Sequence, residues 1–316
     1  MTSSDASGSQ QYLLDRVGKA HLRQRIGVET EHEADRFGQG RNFLHIENWH
    51  LFHSLIRMTL RLTGMAERGR RNVLDIQVRH NDVRLPTLPP SFDGFTLLHL
   101  SDLHLDSLPE FPGRVAEVVS DLDYDVCVMT GDYRFHTHGP WQAAMAGLSV
   151  VREALGEDIY AVLGNHDSIF MVEPIERMGI RLLLNESVTL ERGDARIYIA
   201  GIDDPHYFES DNLDAASQGL ADESIAVLLS HSPEIYTRAA YTGFDLMLSG
   251  HTHAGQMCLP GGKALMYNSA APNEFNAGPW SFNALQGYTS AGTGSSVVPA
   301  RFNCPPEVTL HHLRRV

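Results

Sequence analysis

Five short apolar runs, each ending in small and ionisable residues, constrain this chain more than any other feature. They are Phe95–Leu100 before Ser101-Asp102, Asp125–Thr130 before Gly131-Asp132, Ile159–Leu163 before Gly164-Asn165, Ile225–Leu229 before Ser230-His231, and Phe244–Ser249 before Gly250-His251. Runs this short and this apolar read as strands buried on both faces, which requires further layers to cover them. Gly113–Asp121, Gly139–Leu155 and Val172–Met178 read as intervening helices, and 181–202 as antiparallel strands joined at Arg192-Gly193-Asp194. The expectation is a layered α/β sheet protein whose polar loops all follow strand C-termini, the edge where open α/β sheets bind ligands.

The polar residues at those edges are Asp102, His104, Asp132, Asn165, His166, His231, His251 and His253. One Asp-x-His or His-x-His would mean little, because a lone histidine on a strand is usually a hydrogen-bonded core residue. Five loaded segments in series are hard to obtain from packing alone. Imidazole, carboxylate and amide oxygen without thiolate suit manganese, iron or zinc in a reactive site rather than a structural zinc. The three cysteines, Cys127, Cys258 and Cys304, are too few for a disulfide framework and suit a reducing compartment.

The chain has 316 residues, 42% of them hydrophobic, and a net charge of −14, so a sizeable core is expected and a nucleic-acid partner held by bulk charge is not. No run is long and apolar enough for a membrane-spanning helix, and the first twenty residues carry no signal-peptide pattern, so the cytoplasm is the expected compartment. Between Trp49 and Arg71, Leu51, Phe52, Leu55, Ile56, Met58, Leu60 and Leu62 share a face at about 100° per residue. His50, His53, Ser54, Arg57, Arg61 and Arg68 oppose them. Residues 41–71 carry +4, which leaves −18 for the remainder. A basic amphipathic helix on an acidic protein reads either as peripheral contact with an anionic membrane or as a helix packed on the core. Residues 1–40 are expected to be loosely ordered, with a short helix around Tyr12–Arg25. Residues 41–91 are expected to form an extension made of the helix and a hairpin over Val73–Leu85 turning near Asn81-Asp82. Pro86–Pro90 is the expected boundary with the main domain, 92–316.

The segments Ser101–Asp106 (SDLHLD), Thr130–Arg134 (TGDYR), Gly164–Asp167 (GNHD), Ser230–Glu234 (SHSPE) and Gly250–Gln256 (GHTHAGQ) resemble the five blocks of the calcineurin-like metallophosphoesterase superfamily. Gly201–Asp204 (GIDD) and the stretch Thr289–Val308 resemble marks of its bacterial YkuE-like branch. The resemblance covers about 92–316 and implies a layered αββα-type sandwich with two divalent metal ions, manganese first among the candidates. It implies Asp102, His104 and His253 on one ion, Asn165, His231 and His251 on the other, and Asp132 bridging both. A bridging hydroxide would be the nucleophile, and His166 the general acid or a phosphate ligand.

There are departures. Many relatives continue the second block as Gly-Asp-x-x-Asp-Arg, whereas here Phe135 and His136 occupy the last two places, which argues against protein phosphatase activity. Arg134 is the candidate phosphate clamp, with pairing to a nearby carboxylate as the alternative. Asp167 either orients His166 or caps the next helix, and Ala254 stands where the branch often has glycine. The implied activity is a phosphodiesterase or pyrophosphatase acting on a small phosphoester or pyrophosphate. The amphipathic helix adds a lipid-linked nucleotide such as UDP-2,3-diacylglucosamine, which relatives in the superfamily cleave. A phosphodiesterase of soluble or cyclic nucleotides is the alternative within the enzyme class, and a non-catalytic scaffold the alternative outside it.

Overall fold

A computed structural model describes residues 3–36, 50–221 and 224–316. The chain opens with helices α1 (Ser3–Arg36), α2 (His50–Leu62) and α3 (Ala66–Leu74), followed by β1 (Gln77–Leu85) and β2 (Thr96–Leu100). Then come α4 (Phe111–Ser120), β3 (Val126–Met129), α5 (Gln142–Glu153), β4 (Ile159–Ala161), α6 (Val172–Arg177) and β5 (Arg181–Leu182). The second half runs β6 (Glu186–Arg192), β7 (Ala195–Gly201), α7 (Leu213–Ala216), β8 (Ala226–Leu229), α8 (Tyr236–Thr242) and β9 (Leu246–Ser249). It ends with β10 (Cys258–Leu259), β11 (Lys263–Ala264), β12 (Gly278–Phe282), β13 (Leu285–Thr289) and β14 (Glu307–Arg315).

Two six-stranded sheets form, ordered β1-β14-β2-β3-β4-β5 and β12-β13-β9-β8-β7-β6, with β10-β11 as a separate ribbon. Their inner faces pack together: Leu97, Val128 and Val162 from the first sheet meet Ile199, Val227 and Leu248 from the second. The outer face of the first sheet, including Leu98, Leu100 and Met129, packs against α4 and α5 through Phe111, Val115, Leu148 and Val151. The outer face of the second, including Ala200, Leu228 and Met247, packs against α7 and α8 through Leu213 and Ala239. The result is the layered αββα sandwich expected from strands that are apolar on both sides. The expected turn at Arg192-Gly193-Asp194 joins β6 to β7, with Arg192 paired to Ala195.

The N-terminal ninety residues differ from expectation in three ways. Residues 3–36 are not loosely ordered but helical throughout, with a kink at Gly18 (φ 77°). Leu13 and Leu22 of α1 are buried in the core with α4 and α5. Tyr12, Leu14, Val17 and Ile26 pack against the same core, and long-range polar contacts add Arg16 to Glu176 at 2.9 Å and His21 to Asp203 at 2.7 Å.

The expected hairpin over 73–85 is a single strand instead. β1 pairs in parallel with β14, from Gln77 opposite Glu307 to Leu85 opposite Arg315. Neither Asn81 nor Asp82 has the positive φ that a tight hairpin turn demands. Since β1 belongs to the main sheet, Pro86–Pro90 is a connection within it, carrying the chain across β14 to β2, and not a domain boundary. The expected amphipathic helix begins at Trp49, outside the described residues, and breaks into α2 and α3. Gly64 (φ 68°) ends α2, with Gly64 N–H donating to Arg61 O at 3.1 Å and Met65 N–H to Leu60 O at 2.9 Å. That is the paired carbonyl capping of a left-handed glycine C-terminus. No helix among the described residues is long and apolar enough to cross a membrane.

Candidate metal centre

The C-terminal ends of three strands from each sheet converge on one buried site. From the first sheet, the loop after β2 brings Asp102 and His104, the loop after β3 brings Asp132, and that after β4 brings Asn165 and His166. From the second, β8 is followed by His231 and β9 by His251 and His253, while the chain after β13 passes behind them. All eight side chains are buried or nearly so, none more than 6% exposed. The main chain is bent to achieve this. Asp102 (φ 52°), His104 (43°), Asp132 (61°), His251 (70°) and His253 (50°) all take the left-handed conformation that non-glycine residues avoid. Such strain persists only where the surroundings over-determine it, and it gathers at functional sites. Ala254 (φ 49°) shares the conformation, which gives a physical reason for glycine at that place in relatives.

The ligating atoms lie in two groups. In one, His104 Nε2 is 3.1 Å from His253 Nε2, which is 3.4 Å from Asp102 Oδ1. In the other, Asn165 Oδ1 is 2.8 Å from His231 Nε2 and 2.9 Å from His251 Nδ1, and those two nitrogens are 3.2 Å apart. Asp132 Oδ2 sits between the groups, 3.4 Å from His231 Nε2 and 3.8 Å from both His104 Nε2 and His166 Nε2. Two atoms each about 2.1 Å from one ion lie about 3.0 Å apart at octahedral angles and about 3.4 Å apart at tetrahedral angles. The spacings within each group match the edges of such polyhedra.

The tautomers fit as well. His104 Nδ1 donates to Arg134 O at 2.8 Å and His231 Nδ1 to Thr130 O at 2.7 Å, which leaves each Nε2 lone pair facing the site. Anchoring of this kind is what orients imidazole ligands. Electrostatics point the same way. Burial opposes charge on Asp132, but the His231 imidazole, 3.4 Å from its Oδ2, outweighs it and holds the carboxyl well below its usual range. Burial likewise opposes a proton on His231, yet Asp132 raises its pKa well above the ordinary imidazole value. The site therefore favours positive charge beside Asp132. These observations satisfy the donor set, spacing and charge that divalent cations require.

Asp167 neither orients His166 nor caps a helix. Its carboxylate accepts from Asp132 N at 2.8 Å, Tyr133 N at 2.9 Å and Gly164 N at 2.9 Å, and so clamps the loop of Asp132 to that of Asn165. His166 Nδ1 donates to Phe135 O at 2.8 Å, so a main-chain carbonyl serves where relatives place a carboxylate. Burial pulls His166 down to about 3, which favours its neutral form in the metal-free protein.

Arg134 is not in a phosphate-clamp position. Its Nε donates to His166 O and its Nη1 to Gly139 O, both at 2.7 Å, and it lines a separate cavity beside α1 together with His138. It also pairs with no nearby carboxylate among the described residues, so neither expected role holds. Its loop turns back beneath His166, a path the sequence did not reveal.

Arg301 lies within the stretch Thr289–Val308. It is fully buried, with Nη2 3.1 Å from His253 Nδ1 and Nε donating to Gly294 O at 2.8 Å. The Gly201–Asp204 motif is explained too. Asp203 receives α1 through His21 and Arg25, and Asp204 accepts from Phe208 N at 2.8 Å and His206 N at 3.3 Å. This seats the His206 ring 4.1 Å from that of His251.

Buried Asp/His/Asn clusters at the shared edge of two sheets suit a metal-dependent hydrolase of phosphoesters. A family model described as calcineurin-like phosphoesterase matches residues 95–255, about half of the chain. The chain belongs to that family, whose members use divalent metals. It is similar to an uncharacterized metallophosphoesterase, YkoQ, of Bacillus subtilis (strain 168), at 28% identity over 78% of this chain and 93% of the relative. YkuE of the same organism, also an uncharacterized metallophosphoesterase, is 26% identical over 76% of this chain and 86% of its own. Phosphodiesterase YaeI of Escherichia coli (strain K12) is 27% identical over 75% and 87%.

Proposed function

We propose that this enzyme hydrolyses a phosphodiester or pyrophosphate linkage with two divalent ions. Asp102, His104 and His253 would hold one ion, Asn165, His231 and His251 the other, and Asp132 both. The observation that carries the reading is the place of Asp132 Oδ2, between the two groups of ligating atoms. Divalent ions there would supply Lewis acidity toward phosphoryl oxygens and an activated water at neutral pH. Manganese is the first candidate, with iron and zinc as alternatives for the same N/O donors.

The chain's own groups do the rest. Asn165 Nδ2 is buried and without a hydrogen-bond partner among the described residues, which leaves both of its N–H donors for phosphoryl oxygens. His166, tethered through Nδ1, keeps Nε2 toward the site. A phosphate anion beside it would favour its protonated form, from which it can pass a proton to the leaving oxygen.

A lipid-linked substrate is supported by the cavity that opens from Asp132, His166, His251 and His253. It holds about 370 Å³ and is walled by Ile56, Met257, Leu265, Met266, Val297 and Val298. Of its walls Leu265 is 72% and Met266 56% exposed, and on α2, which contributes Ile56, Leu55 and Met58 are 53% and Leu62 79% exposed. A polar centre with apolar walls suits a phosphorylated head group carrying acyl chains, of which UDP-2,3-diacylglucosamine is the specific candidate. The exposed ring of apolar side chains, with Arg57 and Arg61 also exposed on α2, suits peripheral contact with an anionic membrane.

The test is a panel of diesters, pyrophosphates, cyclic nucleotides and monoesters with Mn²⁺, run on the wild type and on Leu265→Ser/Met266→Ser. The reading expects the acylated pyrophosphate to be preferred and its KM to rise at least tenfold in the variant, with little change for bis-p-nitrophenyl phosphate. Preference for a soluble cyclic nucleotide, with no effect of the variant, would replace the lipid reading.

A further inference from the structure

The first helix carries more buried charge than its anchoring needs, and that charge is aimed at the active-site loop. Arg25 is fully buried, 3.2 Å from Asp203 Oδ2 and 3.3 Å from Glu29 Oε1, with its guanidinium 3.2 Å from the centre of the Phe208 ring. Its Nη2 donates to the carbonyl of Asp167 at 2.9 Å. Glu29, one turn on, accepts from Ser168 Oγ and from Ile169 N, both at 2.8 Å. These two side chains thus take hold of three consecutive residues immediately after His166. His166 itself is held from the other side, its N–H donating to Asp132 Oδ1 at 2.8 Å and its carbonyl accepting from Arg134.

Stability alone is a poor reason for this arrangement. A fully buried ion such as Arg25 loses much of its attraction to desolvation, and an apolar residue of equal volume often serves a fold as well or better. Leu13 and Leu22 already show α1 packing by apolar contact. What Arg25 and Glu29 add is direction, since a bidentate carboxylate and a planar guanidinium fix a loop where an apolar contact would let it slide. The helix also lies wholly before residue 95, where the match to the family begins.

We infer that Arg25 and Glu29 are positioning residues of the active site, and that α1 sets His166 against the leaving group by fixing residues 167–169. The inference rests on the reading of His166 as the proton donor, and its test separates the two. Full-length, Mn²⁺-loaded wild type, Glu29→Ala, Glu29→Gln, Arg25→Met and His166→Ala are compared on phosphodiesters of graded leaving-group basicity. Metal content is measured on each. Amide hydrogen exchange is followed in the metal-free proteins.

All three α1 substitutions should keep the wild-type metal content. For Glu29→Ala, kcat should fall at least tenfold more on an alkyl ester than on a p-nitrophenyl ester, with KM within about threefold. Glu29→Gln, which retains one acceptor, should recover part of the loss. The Ile169 amide should exchange at least tenfold faster in Glu29→Ala while amides of β3 stay protected. Equal slowing on both esters, or unchanged Ile169 exchange, would reduce Glu29 to a structural residue and overturn the inference. If His166→Ala shows no leaving-group dependence, the reading of His166 fails. The exchange data then still decide whether α1 holds the loop.

Discussion

Adding one methyl group at Gly250 should dismantle half of the metal centre. A Cβ there would lie 1.8 Å from Ser101 Oγ, 2.3 Å from Asp102 Oδ2 and 2.9 Å from Ser101 Cβ. Gly250 is not among the residues of positive φ, so alanine is allowed by its backbone and the conflict is purely one of contact. Restoring an ordinary separation requires the Asp102 carboxylate to retreat by more than about 1 Å, several times the roughly 0.2 Å tolerance of a metal–ligand distance. A misplacement of that size is expected to weaken binding at the Asp102/His104/His253 group by about a hundredfold, by analogy with the cost of such shifts in catalysis. Overpacking adds about 1–3 kcal/mol of destabilisation in the metal-free protein.

The assay is metal content after dialysis, by plasma mass spectrometry, paired with calorimetry of loaded and metal-free forms. Gly113→Ala in α4 is the control, since nothing lies within 4 Å of its Cβ position. It should leave metal binding unchanged and gain about 0.5–1 kcal/mol from the helix preference for alanine. A Gly250→Ala protein with full metal content and the wild-type Tm would refute the placement of Asp102 against the strand end.

Three further outcomes are expected. His99 is fully buried beside His311, and burial lowers its pKa from 6.5 to about 3. Between those values the unfolded chain binds the extra proton, so stability is complete above about pH 6.5 and falls toward pH 3, by about 1.4 kcal/mol per pH unit. Urea midpoints of the metal-free protein should therefore drop between pH 6.5 and 5, less steeply in His99→Gln by about one proton; an identical slope would contradict a buried neutral imidazole.

His166→Ala should keep its metals and lose about 10²–10⁴ in kcat on esters with poor leaving groups. Unchanged kcat there would remove the proton-donor role. Leu55→Ser/Met58→Ser should reduce sedimentation with anionic liposomes at least fivefold relative to wild type. Failure of the wild type to bind such liposomes would end the membrane reading.

The site was legible in the sequence because its chemistry sits at strand ends. A strand buried on both faces leaves an unbroken apolar run, and the first polar residues after it mark the sheet edge. Asp102, Asp132, Asn165, His231 and His251 could therefore be collected without knowing the strand order. What the sequence hid depends on where loops travel and on partners far along the chain. The polar anchors of α1 meet Glu176 or Asp203, more than 150 residues away, and its core contacts, Leu13 and Leu22 among them, lie on either side of the kink at Gly18. The alternation in β1 announced a half-buried strand but not its neighbour, and a parallel partner at the opposite end of the chain looks the same as a hairpin. Arg134 was near Asp132 in sequence, yet the loop from Tyr133 to Gly139 carries it beneath His166 rather than before it.

The central claim is that Asp132 is shared by two ions. The most direct measurement is the metal stoichiometry of the chain after loading with Mn²⁺, in the wild type and in Asp132→Asn. The account predicts two ions per chain in the wild type and loss of both in the variant, because the shared anionic oxygen is gone from both groups. A wild type that binds none or only one, or a variant that keeps two, would contradict it.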